Sequence, residues 1–368
     1  MMFRKFRQAA LLAAAVILPL VGGAMAEPTA DFAPLVRNVV DGYAVPKSQA
    51  LAESFAALQA SITGLCSERP SIAQKEAFDA RFSASVEAYA QLAILRFGAL
   101  ADEHRLERLA FVPDARGVVR RQVDRLLARP DASATDPDRL RDKSVALQGL
   151  SALEWIAFSP DGAVILAPEG KKGAFTCAYA EAIAARLTAT ARELAEAYRT
   201  GNGQTGLLLA PSPENALVHT PQEAVESVFN ALFTGLAVLR DQVLERVLEP
   251  GDPALRAERA PFARSGNEFT YLAAGLTGLN EAVTAGGFVA AAPQEGQWLA
   301  NSLAFETKLA TSALHGFDMP LAQVLADEES RRRLEVVEIN TSSIRDLLGR
   351  ELAGYLELKG GFNALDGD

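Results

Sequence analysis

Ser151 and Glu154 lie three residues apart in the stretch "QGLSALEWIAF" (148–158), just after Gly149. On a helix, residues i and i+3 present their side chains to one neighbourhood, so the pair offers a hydroxyl and a carboxylate to a single ligand. Of the two, only Glu154 is a good ligand for a metal, because a neutral hydroxyl binds iron or zinc poorly. Leu150, Leu153, Trp155, Ile156 and Phe158 flank Glu154 closely. The carboxylate is therefore expected to be partly buried, which raises its pKa unless a partner holds the charge. Arg120 and Arg345 are the candidate partners. Gly149 falls inside a helical pattern, where glycine costs roughly 1 kcal/mol against alanine and a close helix approach compensates.

Other polar residues have two readings each. Asp114 and Arg116 in "VPDARG" suit a ligand cleft, and equally the turn and cap chemistry of Pro-Asp before Gly. Arg264 and Ser265 could bind a carboxylate or cap the helix that follows. Asn363, Asp366 and Asp368 cluster oxygens at the end of the chain without the spacing of an EF-hand. The histidines, His104, His219 and His315, form neither H-x-x-H nor H-E-x-x-H, so no zinc-protease motif is written here. Surface or capping roles are expected for them. Cys66 and Cys177 lack a CxxC partner or a neighbouring histidine. A disulfide is the leading reading, and metal binding by the thiols the weaker one.

Helices must position these groups, because 3.6-residue periodicity dominates the chain and strand signals are nearly absent. Phe78, Phe82, Val86, Tyr89 and Leu92 make an apolar stripe behind a capping residue, Ser71. Thr220, Pro221 and Glu223 mark another start through a capping box, and Gly201 a stop. Further helices are expected at roughly 31–44, 47–66, 117–129, 136–158, 267–285, 296–314 and 328–357. Many long helices with short joins predict an all-α fold of two antiparallel helical bundles. The break at 199–222 separates an N-terminal bundle (27–205) from a C-terminal one (206–368). "GLTGLN" (275–280) echoes "GLSALE" (149–154), which suggests internal duplication.

The first 26 residues have the basic start, apolar run and Ala24-Met25-Ala26 ending of a secretory signal peptide. The expected mature chain begins at Glu27, resides in the periplasm and keeps no transmembrane anchor. The full chain balances 36 Lys and Arg against 46 Asp and Glu, a net charge of −10 at pH 7. Losing Arg4, Lys5 and Arg7 makes it more acidic still. That balance argues against nucleic acid or anionic lipid as partners.

A helical Gly-x-His-x-x-Glu motif marks the imelysin-like proteins, and "GLSALE" resembles it with Ser151 in place of the histidine. "RFGAL" (96–100), "FVPDARG" (111–117), "TCAYAEAIA" (176–184), "APFARSGNEF" (260–269) and "GFNALDGD" (361–368) resemble recurring segments of the same family. The resemblance implies two helical bundles, export and a part in iron uptake alongside envelope uptake components. The expected role is non-enzymatic binding of a small ligand, iron or another divalent cation between the bundles. Gly149, Ser151, Glu154, Asp114 and Arg116 are the candidate ligand residues, and Glu154 the candidate metal anchor. A metallopeptidase is the alternative, needing a metal and a general base. An interaction scaffold with a decayed metal site is a further one, suggested by Ser151.

Overall fold

The structure, a computed structural model, describes residues 30–67 and 69–359. The signal peptide read at 1–26, and Asn363, Asp366 and Asp368, lie outside the described residues. The fold is all-α, with no strand among the described residues beyond one isolated bridge between Phe158 and Val164. The long helices are α1 (Val45–Ser67), α2 (Ile72–Ala93), α3 (Val118–Ala128), α4 (Gly149–Ala157) and α5 (Gly170–Thr200), followed by α6 (Pro221–Ala237), α7 (Glu268–Gly286), α8 (Leu299–His315) and α9 (Glu328–Asp346).

In the first half α1 packs on both α2 and α5, and α4 lies against α5; in the second half α8 packs on both α7 and α9. The halves meet chiefly where α2 lies along α7. Apolar residues at helical spacing explain this seam: Phe78, Phe82, Val86 and Tyr89 of α2 are buried, as are Tyr271, Leu272 and Leu279 of α7. Gly278 of α7 is required by the closeness of the two backbones, since a β-carbon there would sit 2.6 Å from the Gln91 carbonyl oxygen. Cys66, at the end of α1, is bonded to Cys177 in α5, with 5.5 Å between their Cα atoms. The disulfide expectation therefore holds.

Several starts follow their sequence signals. The Ser71 hydroxyl accepts a hydrogen bond from the Gln74 backbone N–H, and the Gln74 side-chain oxygen accepts one from the Ser71 backbone N–H. Thr220 caps α6 through the Glu223 N–H at 3.2 Å, but the Glu223 carboxylate reaches the backbone N–H of His219 instead of Thr220. The box expected there is thus shifted by one residue.

Three expectations change. The helix predicted over 136–158 is broken into Pro137–Leu140, a 3-10 turn at Val145–Leu147, and α4. Gly149, whose φ of +75° is foreign to a helix interior, sets the last of these breaks, so it opens α4 and does not lie in its middle. The predicted gap between 44 and 47 is absent, because a π turn at Val40–Ala44 carries the helix through Pro46, which has no N–H to donate. Similar wide turns at Val238–Leu244 and Leu347–Leu352 extend α6 and α9. Finally, Gly275 lies inside α7 whereas Gly149 begins a helix, so the echoed stretches occupy different helical positions.

Candidate functional site

The site assembles where α4 meets the turn that precedes α7. Gln148, the residue before α4, anchors the helix start by donating its side-chain amide to the Lys143 carbonyl at 2.7 Å. Gly149 follows, and a β-carbon at this position would lie 2.6 Å from the carbonyl oxygens of both Arg108 and Leu109. Only glycine combines that approach with a left-handed φ. The backbone of the preceding segment thereby fixes the placement of Ser151 and Glu154.

Glu154 is buried, as its apolar flanks predict, at 9% exposure. Its partner is neither Arg120 nor Arg345; Arg345 lies beside Asp346, and Glu154 forms no ion pair among the described residues. Instead, Ser265 donates its backbone N–H to Glu154 Oε1 at 2.9 Å, and the Ser265 hydroxyl lies 2.8 Å from the same oxygen. Burial pushes the Glu154 carboxyl up to about 7, and the nearby Glu268 carboxylate adds to this. The Ser265 hydrogen bonds and the Arg264 charge act in the opposite direction, less strongly.

Arg264 and Ser265 thus bind across the joint and do not cap α7. Arg264 donates through Nε to the Phe158 carbonyl, and its guanidinium stacks over the Trp155 ring at 4.3 Å. Trp155 in turn donates its indole N–H to Asp124 of α3 at 2.7 Å. Beneath this layer an aromatic seam of Phe82, Phe158, Phe262, Tyr89 and Tyr271 joins the two halves. Phe262 holds a left-handed φ of +60° at the turn, a conformation costly for an aromatic residue.

Glu268 was not among the expected site residues, since its apolar neighbours Phe269, Tyr271 and Leu272 lie on one side only and Arg264, Ser265, Gly266 and Asn267 precede it. It is 3% exposed and lines a small hollow with Val243, Val247, Phe269, Leu272 and Leu321. Its Oε1 accepts the Leu321 N–H at 3.2 Å, while Oε2 is buried with no hydrogen-bond partner among the described residues. Burial raises this carboxyl to about 7 as well. The Ser151 hydroxyl is another of the buried polar atoms without a partner among the described residues, as are Thr188 Oγ1 and Asn340 Oδ1 elsewhere.

The remaining candidates lie apart from this chemistry. The Asp114 carboxylate accepts the N–H groups of Val118 and Val119, each at 2.8 Å, so it caps α3. Arg116 is exposed and receives a hydrogen bond from Arg121 on its carbonyl. His104 lies 4.0 Å from Glu107, His219 3.1 Å from Glu223, and His315 is exposed at the end of α8. Among the described residues no three His, Cys, Asp or Glu side chains come together in a way that could hold a metal ion. Glu154, with Oε1 already taken by two donors and a serine in place of an imidazole, does not fit a resident metal centre.

The chain belongs to the imelysin family, whose model matches residues 40–343. In fold it is similar to an imelysin-like protein from Psychrobacter arcticum 273-4, at 19% identity over 91% of this chain and 99% of that one, with a TM-score of 0.72. It is also similar to a protein named as an iron-regulated protein A precursor from Parabacteroides distasonis ATCC 8503, at 13% identity over 90% and 97% of the two chains, with a TM-score of 0.67. No curated protein matches the chain.

Proposed function

We propose that this imelysin-family protein is an exported, non-enzymatic binding protein of iron uptake, with its site at the joint between the halves around Glu154. The observation behind this reading is the unpartnered hydroxyl of Ser151, buried one helical turn from a carboxyl that Ser265 holds from the other half. A buried polar atom without a partner is costly, and a ligand supplying a hydrogen bond would remove that cost. The donor set favours recognition by hydrogen bonds over coordination. The ligand is therefore a small organic molecule, and in iron uptake one that carries the iron itself. The disulfide between Cys66 and Cys177 supports export into an oxidising compartment.

The peptidase reading needs a metal with an open position, and the described residues bring no ligand set together for one. The scaffold reading is favoured by one observation, that Ser265 already satisfies Oε1 of Glu154 without any ligand. A zinc titration of Ser151→His beside the wild type tests the site. The variant is expected to gain a zinc-dependent rise in thermal midpoint while the wild type stays unchanged. Chelator-sensitive cleavage of a peptide library by the wild type would instead restore the peptidase.

A further inference from the structure

Helix α3 and its two ends carry five arginines, Arg116, Arg120, Arg121, Arg125 and Arg129, against Asp124 on the helix itself, while Asp114 and Asp131 beyond its ends are bonded to the Val118 and Val119 N–H groups and to Lys143. All five are exposed, and none forms an ion pair among the described residues. Arg121, Arg125 and Arg129 follow one another at intervals of four, the spacing that lines side chains up along one face. Asp124 is partly spent, since it accepts the Trp155 indole N–H. The opposite face of α3, Val119, Val123 and Leu126, is buried in the core. The helix therefore presents a stripe of unpaired positive charge on a chain whose net charge is −10.

We propose that this stripe docks the protein onto an anionic lipid surface by binding headgroup phosphates. Guanidinium groups match phosphate oxygens through paired N–H donors, and each basic residue near such a surface adds to the attraction. The makeup of the face separates a membrane from a protein partner. Protein interfaces need an apolar or aromatic centre inside their polar rim, whereas the outward face of α3 is mostly arginine with Gln122 and Asp124 among them, and the neighbouring Trp155 ring is covered by the Arg264 guanidinium. A plane of phosphates needs no such centre. The acidic remainder of the chain is repelled by the same surface, so docking has one orientation, with α3 facing the lipid. Whole-chain charge argues against anionic lipid only while positive and negative residues are taken as evenly mixed, and α3 with its ends gathers five exposed arginines in fourteen residues.

Co-sedimentation of the mature chain with vesicles tests this. The wild type is expected to pellet with phosphatidylcholine vesicles containing phosphatidylglycerol at low salt, to stay in solution with phosphatidylcholine alone, and to be released by added salt. Arg121→Gln/Arg125→Gln/Arg129→Gln should weaken binding about tenfold or more. Arg37→Gln/Arg246→Gln/Arg259→Gln removes the same charge from exposed positions elsewhere and should leave most of the binding intact. Equal loss in both triple variants, or no preference of the wild type for the anionic vesicles, would overturn the proposal. Should the first triple variant lose its helical circular dichroism, Arg125→Gln alone is compared with Arg37→Gln in its place, with the same expectation.

Discussion

Glu154 and Glu268 are carboxyl groups that burial holds near half-protonation at neutral pH. Each has a folded-state pKa of about 7 against an ordinary value of 4.5, so between those values the folded chain binds more protons than the unfolded one. Stability is therefore full below about pH 4.5 as far as these groups are concerned, and is lost as pH rises through 7. The loss is on the order of 3 kcal/mol per group at high pH. Glu268→Gln removes one of these ionisations, so urea denaturation across this range should show a shallower decline than in the wild type and a more stable variant at pH 8. Gly149→Ala should cost roughly 2–4 kcal/mol, because it combines a left-handed φ with a backbone clash. The burial of Glu154 was legible from its apolar neighbours. Its partner was not, since Ser265 stands 111 residues away and no local pattern connects the two. Glu268 was not legible in this way, because Arg264, Ser265, Gly266 and Asn267 precede it.

Helix starts with side-chain caps were readable because their chemistry is local, as Ser71 and Thr220 illustrate. The breaks were less readable. Gly149 in "GLSALE" and Gly275 in "GLTGLN" have similar neighbours, yet one opens a helix and the other lies within one. The difference arises from what packs against them, the Arg108 and Leu109 carbonyls in one case and the Leu239 side chain in the other. The gap expected between 44 and 47 erred in the opposite direction, because a π turn carries the helix through Pro46. At this scale the bond between α1 and α5 is open to test. It closes a separation of 111 residues, so Cys66→Ser/Cys177→Ser should lower stability by up to about 4–5 kcal/mol through the freed unfolded chain. Denaturant midpoints under non-reducing conditions give the value, and the wild type in reductant should approach the variant.

Across the whole molecule, the all-α architecture was legible because period-3.6 apolar patterning recurs along the entire chain. How the halves meet was not, since the α2 and α7 seam and the clasp of Arg264 and Ser265 onto α4 are contacts between distant segments. The joint is where the account places recognition of an organic iron carrier through Glu154 and Ser151, without a resident metal. Thermal midpoints of the wild type and Glu154→Ala, each with chelator-stripped buffer, zinc, ferrous iron, ferric citrate or haem, test this most directly. A carrier that binds only the native state should raise the wild-type midpoint by roughly 3–5 °C near saturation, with no response to zinc or ferrous iron and with the shift lost in Glu154→Ala. A shift produced by the bare cations and abolished by Glu154→Ala would contradict the account.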